Sequence, residues 1–381
     1  MPLSFACDSA AAAPVVSLPG PSLPPPMRRL AALALLCLLL AGFSSWPGLP
    51  NTLAAHLVAP SGASPLLPVD RIEAAYARLP ARSGHVTTSA GVRLFWRALD
   101  PGDYRMRYTW SRPADDPHGI AFDLDFDTPT APAPAPRGTV LLLHGWMMDG
   151  GSLLPWSLAL GQAGYRTVAI DLRNHGHSGR GPSGYGTREA HDVVDVVAAL
   201  RARGEITGPL HVFGVSYGAA TALFASADPR LGAARIVALE SFDNAGAAIR
   251  AMVPHMLDET GGAWTARLTR TWLRWRIDAQ VVDAAVVRAG ETLDLPLDQV
   301  DVGAALAGTP ACVLLVHGSA DRHVPVAHGR ALAAAVPEAR YLELAGEDHL
   351  SLPMQLERLA PSVIAWFGAP ACPTTAWVAA R

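Results

Sequence analysis

Ser216, Asp321 and His349 are the residues whose types and surroundings could together carry out acyl transfer. Ser216 stands in Gly214-Val215-Ser216-Tyr217-Gly218, followed by Ala219 and Ala220. A serine hydroxyl is a weak nucleophile and needs a neighbouring base to take its proton. His349, in Gly346-Glu347-Asp348-His349-Leu350, can be that base through Nε2 and can return the proton to a leaving group. Asp321, in His317-Gly318-Ser319-Ala320-Asp321-Arg322-His323-Val324-Pro325, can accept the imidazole Nδ1–H, hold the tautomer and stabilise the imidazolium. Asp243 is the rival for that acid role. The oxyanion that forms on attack needs main-chain donors, for which the N–H groups of Tyr217 and Trp146 are the candidates. Trp146 follows His144-Gly145; His144, His175, His317 and His323 are read as structural.

These residues must be brought together by the elements that precede them. Short apolar runs, Thr139 to Leu143, Thr167 to Ile170, Leu210 to Val215, Arg235 to Leu239, Val313 to Val316 and Arg340 to Leu344, alternate with Ala-rich helical stretches. Buried runs of this kind predict a mostly parallel sheet covered on both faces by helices. In such sheets chemistry sits beyond the carboxyl ends of the strands. Each candidate residue lies just past one of these runs. Ahead of them, alternating patterns from Gly91 to Phe126 predict antiparallel strands, with turns at Pro101-Gly102 and Asp116-Pro117.

At this point the resemblance is to the α/β-hydrolases, over roughly residues 91–368. Gly214 to Gly218 resembles the family's nucleophile elbow, His144-Gly145-Trp146 its oxyanion strand end, and Asp171-Leu172-Arg173-Asn174-His175-Gly176-His177-Ser178 a loop frequent in lipase-like and esterase-like members. The chain order Ser216, Asp321, His349 agrees. Serine at the elbow argues against dehalogenase and epoxide hydrolase members, which carry aspartate there. The resemblance implies ester, thioester or amide hydrolysis without metal or organic cofactor, and leaves the substrate open. Independently, the thirteen histidines and four cysteines form no His-x-x-x-His or Cys-x-x-Cys spacing of a zinc site. A net charge of −3 gives no electrostatic case for nucleic acid.

The N-terminus reads as an address. Met27-Arg28-Arg29 precedes an apolar run from Leu30 to Phe43, the layout of a secretory signal, with membrane association through residues 30–49 the alternative. Met27 is read as the true start and Leu53-Ala54-Ala55 as a weak cleavage site. The division expected is a leader over 1–59, a linker and short helix over 60–90 (Pro60 to Pro68 being linker), a hydrolase domain over 91–368 and a tail over 369–381. Within the domain, residues 244–308 are a candidate helical cap with Met252, Met256, Trp264, Trp272 and Trp275; ordinary amphipathic helices packed on the sheet are the other reading. A bridge between Cys312, heading a buried strand, and Cys372, in the tail, is not expected. The leading expectation is an exported esterase acting on a small-molecule acyl ester. A prolyl-oligopeptidase-like peptidase or amidase and a non-catalytic hydrolase-fold binding protein are the alternatives.

Overall fold

Eight strands make the frame of the protein in the order β1-β2-β6-β5-β7-β8-β9-β10. The computed structural model describes residues 48–59, 69–113, 120–258 and 271–373. β1 (Arg82–Thr87) and β2 (Arg93–Leu99) pair antiparallel, and β2 runs antiparallel to β6 (Arg166–Ile170). From β6 onward β5 (Thr139–Leu143), β7 (Leu210–Val215), β8 (Ala233–Leu239), β9 (Cys312–Gly318) and β10 (Arg340–Leu344) are all parallel. A separate antiparallel hairpin, β3 (Arg107–Ser111) with β4 (Ala121–Asp125), fulfils the expected alternation before the core. The turn expected at Asp116-Pro117 lies outside the described residues.

Every residue of β5 and β7 is buried, as a sheet covered on both faces requires. Successive side chains divide between the two sides. Leu141 and Leu143 join one apolar cluster with Val193, Val197 and Leu223, whereas Val140 and Leu142 join another with Trp156, Phe213 and Trp366. The first cluster is closed by α4 (Thr187–Ala202) and α5 (Tyr217–Ser226), the second by α3 (Leu154–Gln162) and α10 (Leu356–Gly368). This is the α/β-hydrolase architecture expected. It puts the ends of β5, β7, β9 and β10 along one edge.

Three expectations are corrected. The sheet begins ahead of Gly91, because β1 lies in the stretch read as linker and short helix; only α2 (Val69–Ala77) was foreseen there. β1 is an edge strand with few buried residues, pinned through Arg82 to Asp100 and Glu205, so it carries no apolar run to announce it. Next, α1 (Leu49–Val58) falls within the supposed leader yet is built into the hydrolase body. Ala54 and Leu57 are buried, Arg288 of α7 (Ala279–Leu293) donates to Asn51 Oδ1, and Tyr185 Oη donates to the Leu57 carbonyl at 2.8 Å. The apolar run Leu30 to Phe43 and the linker Pro60 to Pro68 lie outside the described residues. Finally, Cys312 and Cys372 are joined by a disulfide. The tail folds back over β8 and β9, where Arg235 donates to the carbonyls of Ala369 and Ala371, and Arg340 to that of Pro373.

Within residues 244–308, α6 (Ala245–Asp258) passes over the carboxyl edge of the sheet, whereas α8 (Val302–Ala307) packs beside α5 and α9 (Ala327–Ala335) as an ordinary crossover helix. Residues 271–276 are helical with Trp275 exposed, and Trp264 lies outside the described residues.

The disulfide closes a loop of 60 residues, for which chain entropy gives roughly 4 kcal/mol of stabilisation. Cys372→Ser is therefore expected to lose about 2–4 kcal/mol in denaturant unfolding. Reductant should lower the stability of the wild type toward that of the variant and leave the variant unchanged.

Candidate active site

Ser216 is the residue between β7 and α5, and its backbone has φ +51° and ψ −112°. A non-glycine residue held there is strained by about 1–3 kcal/mol, and the surroundings must enforce it. The flanking glycines show how. A Cβ on Gly214 would lie 2.5 Å from the Gly218 carbonyl oxygen, and one on Gly218 would lie 2.2 Å from the Leu143 carbonyl oxygen. The turn is thus wedged against the end of β5, and Ser216 N–H is anchored to the Leu239 carbonyl at 2.7 Å.

The other two candidates arrive from β9 and β10. His349 Nε2 lies 3.0 Å from Ser216 Oγ, and His349 Nδ1 lies 2.7 Å from Asp321 Oδ2. The loops that carry them are tied together: Ser319 N–H donates to the Leu344 carbonyl and Ala320 N–H to that of Glu347. Asp348 Oδ1 accepts from the N–H groups of Leu350 and Ser351, which fixes the turn around His349. Asp321 Oδ1 accepts from the N–H groups of His323 and Val324 at 2.9 and 2.8 Å. Burial alone would raise the Asp321 pKa. The charge of His349 and the bonds from His317 and His349 outweigh it and hold the group well below the usual carboxylate range. Asp243, the rival acid, is instead paired with His328 Nδ1 and accepts Val302 N–H through its carbonyl. Of the two acids weighed from sequence, the fold brings Asp321 to His349.

The Gly145–Met147 loop beside Ser216 is held by histidines and the Asp171 to Ser178 loop. A Cβ built on Gly145 would be 3.7 Å from Ser216 Cβ, so the main chain entering Trp146 lies against the elbow. His144 Nδ1–H donates to the Gly145 carbonyl, and its Nε2 accepts Leu172 N–H at 3.0 Å. His175 Nδ1–H donates to the Arg173 carbonyl, leaving Nε2 to accept Met147 N–H at 3.1 Å. That contact needs a neutral ring. Burial pushes the His175 pKa down to about 3. Reading these histidines as structural agrees with their bonds, though their grip on the Gly145–Met147 loop was not legible from spacing.

Beside Ser216 opens an apolar pocket lined by Leu57 of α1, Trp146, Tyr185, Phe242, Ile249 and Met252 of α6, and Val324. Leu57 was missed from the sequence, since it lies in the stretch read as leader. Among the described residues, Glu240, Asp321 and His349 are the group whose donor atoms, within 4.8 Å of one another, could suit a cation. Asp321 Oδ2 and His349 Nδ1 already bond each other, so a cation there would displace the proton that orients the imidazole.

The family profile described as Alpha/beta hydrolase family matches residues 140–361, more than half of the chain, and the protein belongs to that family. Its structure is similar to that of the Pyrococcus furiosus esterase Pf2001: 18% identity over 81% of this chain and 98% of that one, TM-score 0.54. A second crystal form of that esterase gives 17% identity over 82% and 96%, also with TM-score 0.54. An esterase from Exiguobacterium antarcticum shares 14% identity over 75% of this chain and 99% of its own, with TM-score 0.49. At these identities the likeness is one of fold.

His175→Ala should release Met147 N–H and loosen the Gly145–Met147 loop beside Ser216, lowering kcat by about 10- to 100-fold with a smaller change in KM. Steady-state kinetics on an activated ester checks this. The depressed His175 pKa also has a stability consequence. Between the ordinary value near 6.5 and about 3, the unfolded chain binds more protons than the native state. Stability should therefore fall as pH drops through that window, and His175→Gln should flatten part of the slope in pH-dependent thermal melts.

Proposed function

We propose that this protein is an exported serine hydrolase that cleaves carboxylic esters or thioesters through an acyl-enzyme on Ser216. The observation that carries this reading is the continuous contact from Ser216 Oγ through His349 to Asp321, at 3.0 and 2.7 Å, opening onto an apolar pocket. His349 Nε2 takes the hydroxyl proton as Oγ attacks the acyl carbon. The oxyanion is stabilised by the N–H groups of Trp146 and Tyr217, the latter at the free amino end of α5. His349 then gives the proton to the leaving alcohol or thiol. Water repeats the sequence to release the acid. No step calls for a cofactor.

Export is supported by the Met27 to Phe43 pattern and by the Cys312–Cys372 disulfide, a bond that persists in oxidising compartments. If the leader is removed, the cut falls ahead of Leu49: one at Ala54-Ala55 would divide α1 and take the Asn51 contact to Arg288 with it. N-terminal sequencing of the mature protein reads this directly. An N-terminus inside α1 would contradict it.

The pocket favours an acyl chain over a peptide, because its walls offer apolar side chains. With about 0.8 kcal/mol per buried CH₂, kcat/KM on p-nitrophenyl esters should rise about fourfold per methylene until the pocket is filled. Ser216→Ala should abolish turnover. Leu57→Ala should move the preferred chain toward longer acyl groups. Comparable rates on arylamides and esters would favour the peptidase reading instead.

A further inference from the structure

Glu240 closes β8 and is fully buried, with φ +54° and its N–H bonded to the Val316 carbonyl at 2.7 Å. Neither of its carboxyl oxygens has a hydrogen-bond partner among the described residues. A buried polar group without a partner costs about 1–3 kcal/mol, so its presence calls for a reason. The side chain is not aimed at solvent. Oε2 lies 3.6 Å from His349 Nδ1, the same nitrogen that Asp321 Oδ2 meets at 2.7 Å. Gly318 gives the room: a Cβ there would lie 3.3 Å from Glu240 Oε1 and 2.4 Å from the Glu347 carbonyl oxygen.

We infer that Glu240 is a second orienting acid for His349, a positioning residue that takes over the Nδ1–H when Asp321 does not hold it. This rests on the assignment of His349 as the base. Two carboxylates so close in a buried site cannot both be ionised without strong repulsion. With Asp321 anionic, Glu240 keeps its proton. Burial pushes its pKa well up, and the charges of Asp321, Asp348 and Glu347 add to the shift. Replace Asp321 by a neutral residue and that nearest repulsion is gone. Glu240 then loses its proton to solvent, moves less than about 1 Å to reach hydrogen-bond distance, and accepts the Nδ1–H. The charges that remain around it are Asp348, bonded to Arg112, and Glu347, bonded to Ser351 Oγ.

The test is a double-mutant cycle with Asp321→Ala, Glu240→Gln and both together, assayed on one p-nitrophenyl ester. The loss in kcat/KM caused by Glu240→Gln should be at least tenfold larger without Asp321 than with it. The residual activity of Asp321→Ala should also rise with pH in a step that the double variant lacks. Equal losses in both backgrounds, or the same pH profile with and without Glu240, would overturn the inference. Asp321→Ser, which puts no amide N–H donor opposite His349 Nδ1, repeats the cycle should the alanine variant fail to fold. Undiminished ester turnover in His349→Ala, run alongside with Ser216→Ala as the blank, would be a failure of the base assignment and not of this inference.

Discussion

The backbone of Ser216 is forced to positive φ without the freedom of a glycine, and the remainder of the site is arranged around that one turn. Its strain is tolerable only because Gly214 and Gly218 let the chain press against itself and against the end of β5. That pressure also determines where the neighbours sit. The end of β5 becomes the wall that brings the Gly145–Trp146 main chain to Ser216, and α5 begins directly beneath it. The fully buried β5 and β7 supply the rigidity. A site mounted on central parallel strands can be held this way, whereas one on exposed loops could not.

Electrostatics then decides which acid serves which base. Asp321 is held as an anion by two main-chain N–H groups and by His317 and His349, although its burial opposes ionisation. Asp243 is taken out of contention by His328. Glu240 is pushed the other way by burial and by its like-charged neighbours. Three carboxyl groups near one edge of the sheet thus have three different fates, set by their partners. The chemistry proposed at Ser216 rests on that division, since one anion facing Nδ1 is what an imidazolium forming at Nε2 requires.

Much of this was legible in the sequence because the strands are short, wholly buried runs and the polar residues follow them at once. Ser216, Asp321 and His349 could be read in that way, as could the parallel sheet and the helices between its strands. What was illegible shares a physical cause: the information lay in the partner. β1 is an edge strand with no apolar face of its own. α1 continues the apolar character of the segment before it, so Leu57 could not be told from leader until Tyr185 and α7 were seen to enclose it. Cys372 gives no sign that the tail returns to β9. Glu240 reads as the polar cap of an apolar strand, and only its approach to His349 distinguishes it.

The most direct measurement of the central claim is the site of covalent modification by a fluorophosphonate, read by intact mass and peptide mapping of the folded protein. A single adduct on Ser216, formed rapidly and lost in His349→Ala, is the result this account predicts. Modification at another residue, or none under conditions where the protein is folded, would contradict it.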